Sequence, residues 1–113
     1  MHEMSLAMSA IDLVVEEAAR QGFAKVTGVW LEVGRFSCVE ADTIAFCFEA
    51  AARGTAAEGA ALHFEHKAAE AWCYDCARTV TLEERGQPCP HCGGFKLRVA
   101  QGDSLRVTNI EVA

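Results

Sequence analysis

The feature that most constrains this chain is a set of four cysteines arranged as two C-x-x-C pairs. Cys73 and Cys76 form the first pair and Cys89 and Cys92 form the second, with twelve residues between them. Two such pairs can bring four thiolates to the corners of a tetrahedron, which is the geometry of a closed structural zinc site. Gly93 follows directly and permits the positive φ that turns backbone amides towards sulfur. The spacing predicts a metal site, with zinc as the metal and iron as its main rival.

The remaining cysteines and the neighbouring histidine have ordinary interpretations. Nothing in the chain indicates secretion, so disulfides are disfavoured for its six cysteines. Free cysteine is usually a small buried hydrophobe, and we therefore assign Cys38 and Cys47 to packing. His91 lies inside the second pair, but four thiolates are already available, so we interpret it as a surface residue rather than a ligand.

Size and charge restrict the class of protein. A chain of 113 residues forms one domain, or one domain with a small appendage. Its net charge of −6 argues against a phosphate-binding surface, and therefore against nucleic acid as a partner. The chain contains no apolar run of membrane-spanning length and no signal-peptide pattern. We expect a cytoplasmic protein that does not bind membranes.

Hydrophobic periodicity predicts two helices and three core strands, with the cysteine-bearing stretch as an insertion between the second and third strands. A helix over residues 5–21 would bury Met8, Ile11, Val15 and Ala18, with Met4 just before. We predict a second helix over 40–53, with Ile44, Phe48 and Ala51 on one stripe. The predicted core strands span 25–33, 62–68 and 105–112, and Val29, Leu31 and Val33 share one face of the first. Small hairpin strands are predicted over 78–82 and 95–99. The predicted domains are a domain over 1–71, completed by strand 103–113, and a zinc-binding lobe over 72–102, with the boundary near Glu70 and Ala71.

The N-terminus can offer four nitrogen ligands in one plane. These are the α-amine of Met1, the amide nitrogens of His2 and Glu3, and the imidazole of His2. Square-planar nitrogen ligation is typical of nickel(II) and copper(II). The alternative is that His2 is merely a solvent-exposed side chain, and spacing alone does not decide between the two.

Several segments together resemble the HypA/HybF family of hydrogenase-maturation nickel chaperones, and the resemblance covers nearly the whole chain. No position expected to bind metal departs from the pattern, although Phe36 and Ile44 stand where leucine is frequent. The matching segments are Met1-His2-Glu3 with Ser5-Leu6, Gly34-Arg35-Phe36-Ser37-Cys38-Val39-Glu40, Phe46-Cys47-Phe48, Gly54-Thr55, Cys73-x-x-Cys76, Cys89-Pro90-x-Cys92 and Gly102-Asp103-x-Leu105.

The resemblance implies an α+β fold, with two helices packed on a three-stranded mixed sheet and an inserted zinc-ribbon-like lobe. It implies a nickel metallochaperone without catalytic activity of its own, in which residues 1–71, completed by strand 103–113, form the nickel-binding domain. His2 would be the indispensable nickel ligand, with Met1 and Glu3 completing the site through backbone nitrogen. The two cysteine pairs would hold a structural zinc. The partners implied are a hydrogenase-maturation GTPase and the large-subunit precursor of a nickel-iron hydrogenase, and some family members also serve urease. We expect a monomer or a weak homodimer.

Two rival functions stay open at this stage. The first is a zinc-ribbon module that binds nucleic acid or a transcription complex. Residues 72–98 carry too small an excess of basic side chains to bind a phosphate backbone. The second is a thiol redox enzyme, which would require an accessible cysteine of low pKa. His63 and His66, three residues apart on a strand, face opposite sides and are not expected to share a metal.

Overall fold

The computed structural model describes residues 3–113, which form two helices and six strands. Within these residues, no helix has both the length and the apolar character needed to cross a bilayer. Strands β2, β1 and β6 form one sheet in that order, and β4, β3 and β5 form a second. The elements are α1 (Glu3–Arg20), β1 (Val26–Gly34), α2 (Ala41–Ala52), β2 (Ala61–Lys67), β3 (Ala69–Cys73), β4 (Arg78–Leu82), β5 (Leu97–Gln101) and β6 (Leu105–Val112).

The chain divides into two compact units. Unit 1 contains residues 1–32, 39–65 and 105–113, and unit 2 contains residues 33–38 and 66–104. The predicted α+β class is confirmed, as are the two helices, the three-stranded mixed sheet and the additional small sheet. Unit 2 takes in more of the chain than the predicted lobe of 72–102, because the first strand of its sheet already begins at Ala69.

Unit 1 is organised around a single apolar core. Its helices supply Ile11, Val14, Ile44 and Phe48, and β1 contributes Leu31, all buried. Alternate residues of β1 enter this core because successive side chains of a strand point to opposite faces. The inward face of β1 and the burial of Ile44 and Phe48 on α2 are as predicted.

The buried face of α1 differs from the predicted one. Met4 and Met8 are 41% and 54% exposed. The buried stripe instead runs through Ala7, Ala10 and Val14, together with the predicted Ile11 and Ala18. Small side chains allow a helix to approach its neighbours closely, so alanines occupy the centre of the interface and the longer methionines lie at its margin.

Unit 2 is built on the antiparallel sheet β4-β3-β5. Its central strand β3 passes straight through Glu70 and Ala71, where we had predicted a domain boundary, and that prediction is wrong. Short alanine side chains hid the alternation of this strand from a hydrophobicity pattern. The residues facing inward are Ala69, Ala71 and Cys73 on β3 and Val80 and Leu82 on β4.

Residues 33–38 close unit 2 over its core, although they precede the rest of it by about thirty residues. Phe36 is buried in the same cluster as Cys73 and Cys89. Its amide donates to the Gly102 carbonyl at 2.7 Å. A β-carbon on Gly34 would lie 2.4 Å from the Gly102 carbonyl carbon, so the two backbones meet where only glycine fits.

Candidate metal centre

The four cysteines predicted as ligands converge at one end of unit 2. Their sulfur atoms all lie within 4.8 Å of one another. The Cys73 and Cys92 sulfurs are 3.7 Å apart, and those of Cys76 and Cys89 are 3.8 Å apart. A tetrahedron with zinc–sulfur distances of about 2.3 Å has edges of about 3.8 Å. Two of the six separations match this edge and the others are at most 4.8 Å, so the four sulfurs are grouped closely enough to share one metal ion.

Both C-x-x-C pairs lie in turns of the same construction. The residue after each pair donates its amide to the carbonyl of the first cysteine, Ala77 to Cys73 and Gly93 to Cys89, both at 2.8 Å. These two residues also have positive φ, 53° at Ala77 and 74° at Gly93. The repeated turn presents both sulfurs of a pair in one direction, which is what a shared metal requires.

Backbone amides also point at the sulfur atoms. The amide of Cys76 donates to Cys73 Sγ, that of His91 to Cys89 Sγ and that of Gly94 to Cys92 Sγ, each at 3.4 Å. Partial positive charge on these N–H groups stabilises thiolate over thiol. The backbone is therefore arranged for deprotonated sulfur, the form that binds metal.

Neighbouring thiols, backbone amides and burial shift the pKa values of three of these cysteines. Hydrogen bonding to Cys92, with burial and the other two thiols, raises the pKa of Cys76 to about 12. Burial alone would raise the pKa of Cys89, but amides of Cys92 and His91 outweigh it and lower that pKa to about 7. For Cys92, the Gly94 amide lowers the pKa, yet burial and the thiols of Cys73 and Cys89 leave it raised.

The other predicted residues near the site have mixed outcomes. His91 has an exposed side chain and contributes through its backbone amide. Cys47 is buried in the core of unit 1, as predicted. The packing role predicted for Cys38 is wrong, because Cys38 is exposed and has a positive φ of 61°. Its position in a left-handed turn directs the side chain outward.

Three residues that support the site, Phe36, Ala77 and Arg85, were not predicted from the sequence. Arg85 donates to the Phe36 carbonyl at 2.8 Å, and its guanidinium lies 5.1 Å from the Phe36 ring centroid. No local pattern links residues 49 positions apart. Ala77 could have been found, because it follows its cysteine pair as Gly93 follows the other.

The predicted nickel residues lie at the start of the chain. Met1 and His2 are outside the described residues. Glu3 is the first residue of α1 and is half-buried. The first four amides of a helix have no acceptor within the helix, and the Glu3 amide is one of these.

Comparison with known proteins agrees with this architecture. A family model described as hydrogenase/urease nickel incorporation, metallochaperone, hypA matches residues 1–112. The chain is 76% identical to the hydrogenase maturation factor HypA of Aeromonas hydrophila over the full length of both, and 48% identical to HybF of Salmonella typhimurium over 99% of each. The fold matches the solution structure of the Ni metallochaperone HypA from Helicobacter pylori with a TM-score of 0.78, at 24% identity, over 99% of this chain and 97% of the other. The chain therefore belongs to the HypA family of hydrogenase and urease nickel-incorporation metallochaperones.

Proposed function

We propose that this protein binds nickel(II) through Met1, His2 and Glu3 and delivers it for maturation of a nickel-iron hydrogenase. The observation that carries the proposal is the whole-chain match to the HypA family model, which includes the opening residues. His2 supplies the one side-chain ligand, and Met1 and Glu3 supply backbone nitrogen. Nickel is the cargo, and the protein has no catalytic activity of its own.

The start of α1 suits this role. Nickel binding by an amide nitrogen requires loss of the amide proton. At Glu3 that proton is not used in a hydrogen bond within the helix, because Glu3 is the first residue of α1. Metal binding at Glu3 therefore costs no helical hydrogen bond. The carboxylate of Glu3 has no assigned part in the site.

The four cysteines hold zinc, and this zinc is structural. Four thiolates close the coordination shell, so no position remains for water or substrate. The sulfur separations of 3.7 and 3.8 Å support a single ion of this size. The zinc stabilises unit 2, and the nickel is handled elsewhere.

Delivery involves a hydrogenase-maturation GTPase and the hydrogenase large-subunit precursor in the cytoplasm, with urease as a further target. The protein acts as a monomer or a weak homodimer.

The redox alternative fits the thiols poorly. Cys89, whose pKa is lowered, is buried, whereas the exposed Cys92 has a raised pKa. A redox enzyme needs low pKa and access at the same sulfur.

Nickel titration into untagged protein tests the site. We expect one nickel per wild-type chain, and loss of that nickel in His2→Ala. Adding residues before Met1 should have a similar effect, because it moves the α-amine. Full nickel binding by either variant would rule out the site as proposed.

His66→Ala is the matched control, since it removes an exposed imidazole from β2. It should keep the nickel stoichiometry and affinity of wild type. Lowering the pH should release nickel from wild type, because protons compete for the imidazole, the amine and the amides. Zinc content measured in the same samples separates loss of nickel from loss of unit 2.

A further inference from the structure

The sheet of unit 2 has one buried face and one exposed face. Cys73 and Ala71 on the central strand β3 point into the core. Trp72 points the other way and is 37% exposed, and Tyr74, two residues further along, is 58% exposed. Side chains two apart on a strand share a face. Tyr74 lies just past the end of β3, but its pairing with Lys96 continues the register, so we assign both aromatic side chains to the outer side.

Flanking strands place polar groups beside this aromatic row. Trp72 lies directly opposite Thr79 on β4 and Arg98 on β5. The Tyr74 amide donates to the Lys96 carbonyl at 3.0 Å, which continues the same register. Cross-strand partners lie on one face of a sheet, so Arg98 is adjacent to the Trp72 side chain. We call Trp72, Tyr74, Thr79 and Arg98 the outer platform.

Arg98 is the distinctive member of this surface. Among the described residues it forms no salt bridge, whereas Lys96 pairs with Asp75 at 3.8 Å. A planar guanidinium with uncommitted donors matches a carboxylate, which it can bind with two parallel hydrogen bonds. An adjacent exposed indole offers apolar area of the kind that anchors protein interfaces.

We propose that the outer platform docks an acidic segment of a partner protein. Arg98 receives a carboxylate, and Trp72 and Tyr74 receive the apolar side chains next to it. Charge favours a protein over a nucleic acid, because the platform offers a single cation, Arg98, with the half-buried Glu70 further along the same face. One cation suits one carboxylate set among apolar side chains rather than a run of negative charge. A phosphate backbone would require several clustered cations. The platform does not depend on the nickel site.

Tryptophan fluorescence of the zinc-loaded full chain tests the proposal. The chain has two tryptophans, so Trp30→Phe leaves Trp72 as the sole indole. The probes are a short capped peptide in which glutamate alternates with leucine and a second peptide with lysine in place of glutamate. We expect saturable quenching by the glutamate peptide at low salt, about tenfold tighter than by the lysine peptide.

Arg98→Glu should weaken binding of the glutamate peptide by about tenfold and strengthen binding of the lysine peptide. Arg98→Lys should keep part of the affinity for the glutamate peptide. Arg78→Glu is the matched control, because Arg78 pairs with Cys73 and so belongs to the opposite face. It makes the same charge change and should leave peptide binding unaltered. His2→Ala should also bind the glutamate peptide normally, which separates this proposal from the nickel site.

Three results would overturn the proposal. The first is equal quenching, or none, by the two peptides. The second is the same loss in Arg78→Glu as in Arg98→Glu, which would mean that only the overall charge matters. The third is tighter binding of oligothymidylate than of the glutamate peptide, which would assign the platform to nucleic acid.

Discussion

Unit 1 and unit 2 differ in what fills their interiors. Among the described residues, unit 1 buries thirteen in its core, including Leu31, Ile44 and Phe48. Unit 2 buries seven, of which two are the candidate ligands Cys73 and Cys89 and two are alanines. A core with so few large apolar side chains cannot offset the conformational entropy lost on folding. We infer that unit 1 folds by side-chain packing and that unit 2 needs its metal.

Charge separates the units as well. Unit 1 carries 4 Lys and Arg against 11 Asp and Glu, whereas unit 2 is nearly balanced, with 6 against 5. Acidic charge concentrates cations and basic surfaces near it at low ionic strength. The acidic character of the chain therefore belongs to the unit proposed to carry nickel, and the exposed cation of the outer platform belongs to the other.

Removing one candidate metal ligand should have the largest effect, and it tests most directly whether unit 2 alone depends on a metal. Cys73→Ser is expected to lose zinc and unfold unit 2, because metal binding contributes about 10–16 kcal/mol in zinc-finger peptides. Amide signals of unit 1 in a two-dimensional NMR spectrum should stay dispersed. Cys38→Ser is the control, since Cys38 is exposed and outside the sulfur cluster. Stoichiometric zinc with unchanged stability in Cys73→Ser would show that the metal is not structural.

Truncating a core side chain should affect unit 1 instead. Leu31 is fully buried, so Leu31→Ala is expected to lower the free energy of unfolding by about 2–5 kcal/mol. Zinc content should not change. Leu13→Ala removes the same atoms from a side chain that is 57% exposed and should cost about 0.5 kcal/mol or less. Urea denaturation followed by circular dichroism measures both, and equal losses would contradict a core centred on Leu31.

Acid should act on unit 2 through the thiols. Without metal, Cys76 has a pKa of about 12 and that of Cys92 is raised, so both keep their protons at pH 7 and zinc must displace them. Zinc affinity should therefore fall by about a hundredfold or more for each pH unit below 7. Competition with a chelator measures this slope, and a flat profile would exclude thiolate ligation.

Exchanging the residues that follow the two cysteine pairs should have the smallest effect, with opposite signs. Gly93→Ala would force a side chain into positive φ and cost about 1 kcal/mol, whereas Ala77→Gly would relieve such a conformation and gain up to about 1 kcal/mol. No atom lies within 4 Å of a β-carbon built on Gly93, so the effect is conformational. Thermal unfolding of the zinc-loaded protein measures both. A change in stability of the same sign in both variants would show that the two turns are not equivalent.

Much of the fold could be predicted from local patterns. Strand β1 and helix α2 carry strong periodicity in Val29, Leu31, Ile44 and Phe48, and these side chains are buried as predicted. Strand β3 was missed because alanine is weakly hydrophobic and its alternation carries little signal. The buried face of α1 was misplaced for the same reason, since alanine and methionine positions fit the helical period about equally well.

The sequence by itself determined that four cysteines share a site, because the two C-x-x-C pairs are short enough for each to form its turn locally. It also determined the family, through motifs spread over the whole chain. Only the tertiary structure decided that Arg85 donates to the Phe36 carbonyl, with Phe36 buried in the cluster that contains Cys89, and that Trp72 and Arg98 share an exposed face. These pairings join residues 26 to 49 positions apart. Contacts at such separations depend on strand register and packing, which leave no local trace in the sequence.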